Sequence, residues 1–139
     1  MKKELVDAPR IGRSYSATTA HGTKAGGFVF VTGQVANRPG SDPLRQPEAV
    51  GEMGTIEDQT VQVLENIKAI LQAAGTSFDH VVKRNVYLTH LGDFEPVYRI
   101  MERYFTTKVA STGVITGLVP VSARVEIDVI AVVPDSNPT

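Results

Sequence analysis

Arg124, Glu126 and Asp128 alternate with Val125, Ile127 and Val129 near the end of this 139-residue sequence. At period two, Val125, Ile127, Val129, Ala131 and Val133 share one face and the three ionisable residues share the other. That is the pattern of a strand with one side in a core. Two readings of the polar side are open. It is a solvated edge, or it is a polar wall facing a cleft or a partner subunit, with Glu126 as the chemically useful group.

Few other side chains compete for a chemical role. The three histidines, His21, His80 and His90, show no H-x-H, H-x₃-H or H-E-x-x-H spacing, and there is no cysteine, so no metal site is expected. They read as exposed or strand-end residues. No G-x-G-x-x-G follows a strand, and neither a P-loop nor a G-x-S-x-G elbow occurs. Tyr15 and Tyr98 could bring a hydroxyl to a cleft, though packing is the simpler role for both.

The elements that must position these groups follow from pattern and punctuation. Residues 1–14 form a terminal arm without periodicity, and 15–19 a short strand. Lys24-Ala-Gly-Gly reads as a turn. Phe28-Val-Phe-Val-Thr reads as a strand buried on both faces. Residues 36–54, rich in proline and glycine, form a long loop that is either a surface excursion or a lid. Residues 55–74 make the clearest helix, with Thr55 as cap, Asp58 in the capping-box position and Gly75 as the stop. Its apolar stripe is Thr60, Val63, Leu64, Ile67, Leu71 and Ala74. A strand over 79–91 carries Val82, Val86 and Leu88 on one face. Asp93 caps a second helix, with Pro96 in its first turn and Val97, Ile100, Met101, Tyr104 and Phe105 on its buried side. A short strand over 112–116, a turn over 117–122 and the last strand complete one domain over 1–139, with 134–139 as a second arm. Two helices and five or six strands imply an α+β layer pair, both helices on one face of a mixed sheet. The uncovered, partly polar face invites self-association.

Composition bounds the class of function. With 42% hydrophobic and 21% charged residues and a net charge of -1, the chain is an ordinary globular domain without an electrostatic footprint for nucleic acid. No stretch approaches the roughly 20 apolar residues of a membrane span, and no secretory signal opens the chain. A soluble, cytoplasmic protein is expected.

Four segments together resemble the Rid family, also known as the YjgF or L-PSP family: Lys24-Ala-Gly-Gly-Phe-Val-Phe-Val-Thr-Gly-Gln, the helix from Thr60 to Gly75, Val82-Lys-Arg-Asn-Val-Tyr-Leu with Asp93-Phe, and Val125-Glu-Ile-Asp-Val-Ile-Ala-Val. The resemblance runs in order over residues 19–133. It implies a chorismate-mutase-like α+β fold, with two helices on one face of a mixed, mostly antiparallel six-stranded sheet. It also implies a homotrimer with ligand pockets between subunits and the polar sheet faces turned inward. Characterised members hydrolyse small enamines and imines to keto acids and ammonia without metal or cofactor.

Carried over residue by residue, the resemblance makes Glu126 the acid that works on the attacking water. Gly113 supplies main-chain contacts and Gly33 matches as well. Thr32 stands where the family has a serine, Thr19 where it has a tyrosine and Tyr98 where it has an asparagine. Ser111 stands where the deaminating branch has an arginine that holds the substrate carboxylate. Losing one partner of such a pair costs roughly 2–5 kcal/mol, about 30-fold to several-thousand-fold in binding. Arg124 could substitute, though a role as an ion-pair partner in the trimer interior is simpler. Three readings follow: an imine or enamine deaminase or related hydrolase, a non-catalytic small-molecule-binding trimer, and a ribonuclease. The slightly acidic charge and lack of a basic, aromatic-interleaved patch argue against the last.

Overall fold

The computed structural model describes residues 2–12, 14, 16–38, 40 and 54–135; Tyr15, most of the long loop with its lid reading, and the final tail lie outside them. The strands are β1 (Glu4–Val6), β2 (Gly22–Ala25), β3 (Phe28–Gln34), β4 (Val81–Leu88), β5 (Ala110–Ile115) and β6 (Val125–Val132), and the helices are α1 (Ile56–Ala74) and α2 (Phe94–Met101). They form one six-stranded sheet in the order β1-β2-β3-β6-β4-β5, antiparallel except for the β4–β5 pair, with both helices on one face. This is the architecture that the patterning and the resemblance imply.

α1 forms as its sequence dictates. The Thr55 hydroxyl accepts from the Asp58 amide at 3.1 Å and the Asp58 carboxylate accepts from the Thr55 amide at 3.2 Å, satisfying two orphan donors reciprocally. Gly75 ends the helix in the left-handed region at φ 86°, where its amide reaches Leu71 and Gln72 carbonyls. All six residues of the expected stripe are buried, and Ile70 joins them. Asn66, also buried, donates through Nδ2 to the carbonyls of Asn37 (2.9 Å) and Val35 (3.3 Å), pinning the exit of β3 to the helix. The core lies between α1 and Val29, Val31, Val86, Ile127 and Val129. No helix among the described residues is long and apolar enough to cross a membrane.

Several expectations are corrected. Residues 1–14, expected as an arm, hold edge strand β1, whose Val6 pairs with Gly22; Val6, Ala8 and Ile11 are buried. Three residues are too few to show a period. The strand expected over 15–19 is absent among the described residues there, where Thr19 closes a turn onto the Ser16 carbonyl. The strand is Gly22–Ala25, and the turn is confined to Gly26 and Gly27, both at positive φ. β3 is not buried on both faces: Phe28 and Phe30 stay 40% and 44% exposed while Val29 and Val31 are buried. In β4 an irregularity between Val81 and Lys83 turns Val82 outward, so Val81 joins Val86 and Leu88 in the core. Tyr104 and Phe105 lie beyond α2 and pack edge-on against Phe78.

Asp93 precedes α2 but makes no side-chain cap bond. Its buried carboxylate instead takes a bidentate pair from Arg124, Nη2 to Oδ1 at 2.6 Å and Nε to Oδ2 at 3.1 Å. Two charge-assisted bonds outcompete one amide bond. The pair ties the start of α2 to the entry of β6, so Arg124 finds its partner within its own chain and has no free fork to replace a missing arginine. Asp93→Ala is expected to destabilise the fold by about 1–3 kcal/mol, the half-exposed Arg124 being partly rehydrated, and Asp93→Asn by less. Urea unfolding of the three proteins measures the difference.

Candidate functional site

On the sheet face away from the helices, β6 presents Glu126 and Asp128 beside Tyr87 and Asn85 of β4, their register partners. Asn85 Nδ2 donates to Asp128 Oδ1 at 2.9 Å. Burial, then the charge of Asp128, raises the Glu126 pKa above the usual carboxylate value. Tyr87 is pushed up too, by burial first and then by Asp128 and Glu126. A carboxyl poised this way can take a proton from water and return it nearer to neutral pH than a free glutamate.

β3 brings a second element to Glu126. Its pairing with β6 slips between Val31 and Gln34, a bulge that re-aims Thr32 and Gly33. A Cβ on Gly33 would collide with Glu126 Oε2, so any other residue there would force the Glu126 carboxylate to swing aside. The Thr32 hydroxyl donates to the Ala20 carbonyl at 2.6 Å, and the Thr19 hydroxyl bonds that of Ser16 at 2.8 Å, so both are engaged locally. His21, expected to be exposed or at a strand end, does stand at the start of β2 but is buried. Its Nδ1 accepts from the Ala8 amide and its Nε2–H donates to the Gly12 carbonyl, both at 2.9 Å, holding the N-terminal segment against the bulge.

Ser111, Gly113 and Tyr98 gather elsewhere, on the helix side of edge strand β5. The Tyr98 hydroxyl lies 2.8 Å from where a Gly113 Cβ would be, and the Tyr98 ring stacks on Phe94 at 4.3 Å. Ser111 Oγ accepts from Arg84 Nε at 2.9 Å, and Arg84 is its register partner in the parallel β4–β5 ladder. No sequence motif points to Arg84, although it falls on the same alternation as Val86 and Leu88. A cation on a core-facing stripe was the available signal. A groove of about 300 Å³ opens beside Arg84, Tyr98, Phe105 and Val109.

The residues expected at one site thus form two sets. Glu126 and Gly33 meet on the uncovered face, with Thr32 in the adjoining bulge and Thr19 in the turn before β2. Ser111, Gly113 and Tyr98 meet on the helix side at the sheet edge. Among the described residues no three His, Asp or Glu side chains gather as a metal-ligand set.

Residues 7–133 match the family described as Endoribonuclease L-PSP. A RutC family protein of Pyrococcus horikoshii is 40% identical over 109 residues, 78% of this chain and 81% of the relative. Among solved structures, RidA from an Antarctic Psychrobacter superposes with a TM-score of 0.79 at 31% identity, covering 93% of this chain and 98% of that one. TdcF of E. coli with bound serine gives 0.78 at 27% identity over the same shares.

Glu126 carries a stability consequence of known sign. Its folded pKa lies above the unfolded one, so ionisation opposes folding above the folded pKa, and the penalty fades as the pH falls to about 4, the value of a free glutamate. Glu126→Gln is expected to raise the melting temperature at pH 7–8 by a few degrees and to lose that gain near pH 4. Gly33→Ala is expected to lower it at both. Thermal unfolding across pH checks both signs.

Proposed function

The chain belongs to the Endoribonuclease L-PSP family, and we propose that within it the protein is a homotrimeric deaminase, or related hydrolase, of a small imine or enamine. The observation that carries the reading is the division of the site into two sets on opposite faces of one sheet. Neither set is complete, and a single chain cannot present both to one ligand. In the proposed trimer the Glu126 set of one protomer meets the Ser111–Gly113–Tyr98 set of its neighbour. The uncovered face supports this assembly, because Phe28 and Phe30 are exposed there beside half-buried Ile130 and Val132. TdcF, which shares the fold and carries bound serine, supports the small-molecule class.

In this reaction Glu126 takes a proton from water as its oxygen adds to the imine carbon. Glu126 returns that proton to the imine nitrogen, giving a carbinolamine; it then takes the hydroxyl proton and passes it to the nitrogen as the C–N bond breaks, so ammonia leaves and a carbonyl remains. The ligand lies against the Gly113 main chain. The raised pKa of Glu126 suits a group that must both accept and release a proton. No cofactor takes part in this scheme.

The second reading is a small-molecule-binding trimer without catalysis. Ser111 favours it, since a neutral hydroxyl stands where deaminating relatives place a carboxylate-holding arginine, as does the commitment of the Thr32 hydroxyl to Ala20. RNA cleavage, which the family description suggests, finds less support in a chain of net charge -1.

The test is ammonia and keto-acid release from an imino acid generated in place by a dehydratase. Wild type is expected to be active and Glu126→Gln to lose at least about a hundredfold in rate. In Asp128→Asn, which removes a charge that raises the Glu126 pKa, the acid limb of the rate profile is expected at lower pH. An inert wild type gives the lead to the binding reading. Light scattering is expected to show three times the single-chain mass, with Phe30→Glu reducing it.

A further inference from the structure

Arg84 stands on the helix-facing alternation of β4, where a charge must be compensated. Its Nε–H is given to Ser111 Oγ at 2.9 Å. Its guanidinium carbon lies 4.7 Å from the Phe105 ring centre and 5.5 Å from that of Tyr98, so two aromatic rings flank the group. Among the described residues no carboxylate forms an ion pair with it, whereas Lys24 pairs with Glu4, Arg99 with Glu95 and Arg124 with Asp93. Glu102 and Lys108 line the same groove, and neither bonds to Arg84. Burial pulls the Arg84 pKa down, although the group remains a cation.

A guanidinium has five N–H donors. With Nε committed to Ser111, the side-on edge is blocked and the end-on pair of Nη groups is left. Two parallel donors held rigidly by flanking rings match the two oxygens of a planar carboxylate. The groove, about 300 Å³, lies at the small end of ligand pockets. Its ring and Val109 walls suit a short apolar body.

We propose that Arg84 is the carboxylate-holding residue of this groove and that Ser111 is a positioning residue, fixing the guanidinium by accepting its Nε–H. The ligand class is a small organic monocarboxylate with a short carbon chain. The inference deepens the proposed deaminase site and rests on it for its catalytic meaning, while the binding itself can be measured apart from turnover.

The probes are butanoate and its neutral isostere butanamide, titrated calorimetrically into the full-length protein. Wild type is expected to bind butanoate at least tenfold tighter than butanamide. Arg84→Gln is expected to lose about 30-fold or more in butanoate affinity with butanamide unchanged. Lys24→Gln, on β2 away from this groove, is expected to change butanoate binding by less than about threefold, in keeping with a surface charge that takes no part. Should Arg84→Gln fail to fold, Arg84→Lys keeps a point charge without the fork and is expected to lose about tenfold. The exchange Arg84→Ser with Ser111→Arg moves the guanidinium one strand across and is expected to recover most of the affinity, which a merely structural pin would not do. Equal binding of the two probes by wild type, or unchanged butanoate affinity in Arg84→Gln, overturns the proposal. If binding depends on Arg84 yet wild type releases no ammonia, the deaminase reading falls and this one stands. If wild type releases ammonia and Arg84→Gln leaves KM unchanged, the reverse holds.

Discussion

The strict alternation of β6 is the constraint on which the molecule depends. The strand lies between β3 and β4, antiparallel to both, with Val125, Ile127, Val129 and Ala131 at most 1% exposed. A slip of one residue would carry Glu126 and Asp128 into the helix layer and put four apolar side chains on the open face. Burying two carboxylates without partners costs several kcal/mol each, a sum comparable with a domain's whole margin of roughly 5–15 kcal/mol. The position of Glu126 is therefore set by its apolar neighbours more than by its own contacts, and it can carry a raised pKa without the fold shifting to relieve it.

The same sheet that fixes Glu126 also separates it from Ser111 and Gly113. Val86 pairs with Ile127 on one side and with Gly113 on the other, so Gly113 faces the helices, whereas Glu126 pairs with Tyr87 and faces away. The proposed inter-subunit pocket answers this geometry, because a second chain can bring one face of its sheet to the edge of the first. Arg84 fits the same scheme from the helix side. It lies across the parallel ladder from Ser111, on the neighbouring strand.

What could be read in the sequence was what repeats or punctuates. The cap, box and stop of α1 are local and obeyed local rules, and the alternation of β6 has eight residues in which to show itself. Signals failed where tertiary pairing decided. β1 is too short for a period, and its Val6 is buried because pairing with β2 sets it in the core beneath the helix layer. Asp93 looked like a cap until Arg124, 31 residues away, offered a better bond. Val82 looked inward until an irregularity in β4 turned it out. Glu126 and Gly33 are both legible in sequence and do meet in the fold, whereas Arg84 is not, because a lone cation in an apolar strand carries no spacing motif. Its meaning lies in Ser111, Tyr98 and Phe105, which only the fold assembles around it.

The two borders of the sheet are unequal. At one, β1 has three residues and Glu4 beside Lys24, a short and charged margin that discourages a further strand. At the other, β5 runs Ala-Ser-Thr-Gly-Val-Ile with no charge, and all six residues are exposed. Among the described residues, strand addition to a lone protomer is therefore directional, discouraged on the β1 side and favoured on the β5 side. Until that border is covered, each newly folded chain offers its neighbours a long uncharged edge, the kind of margin that invites further strand pairing.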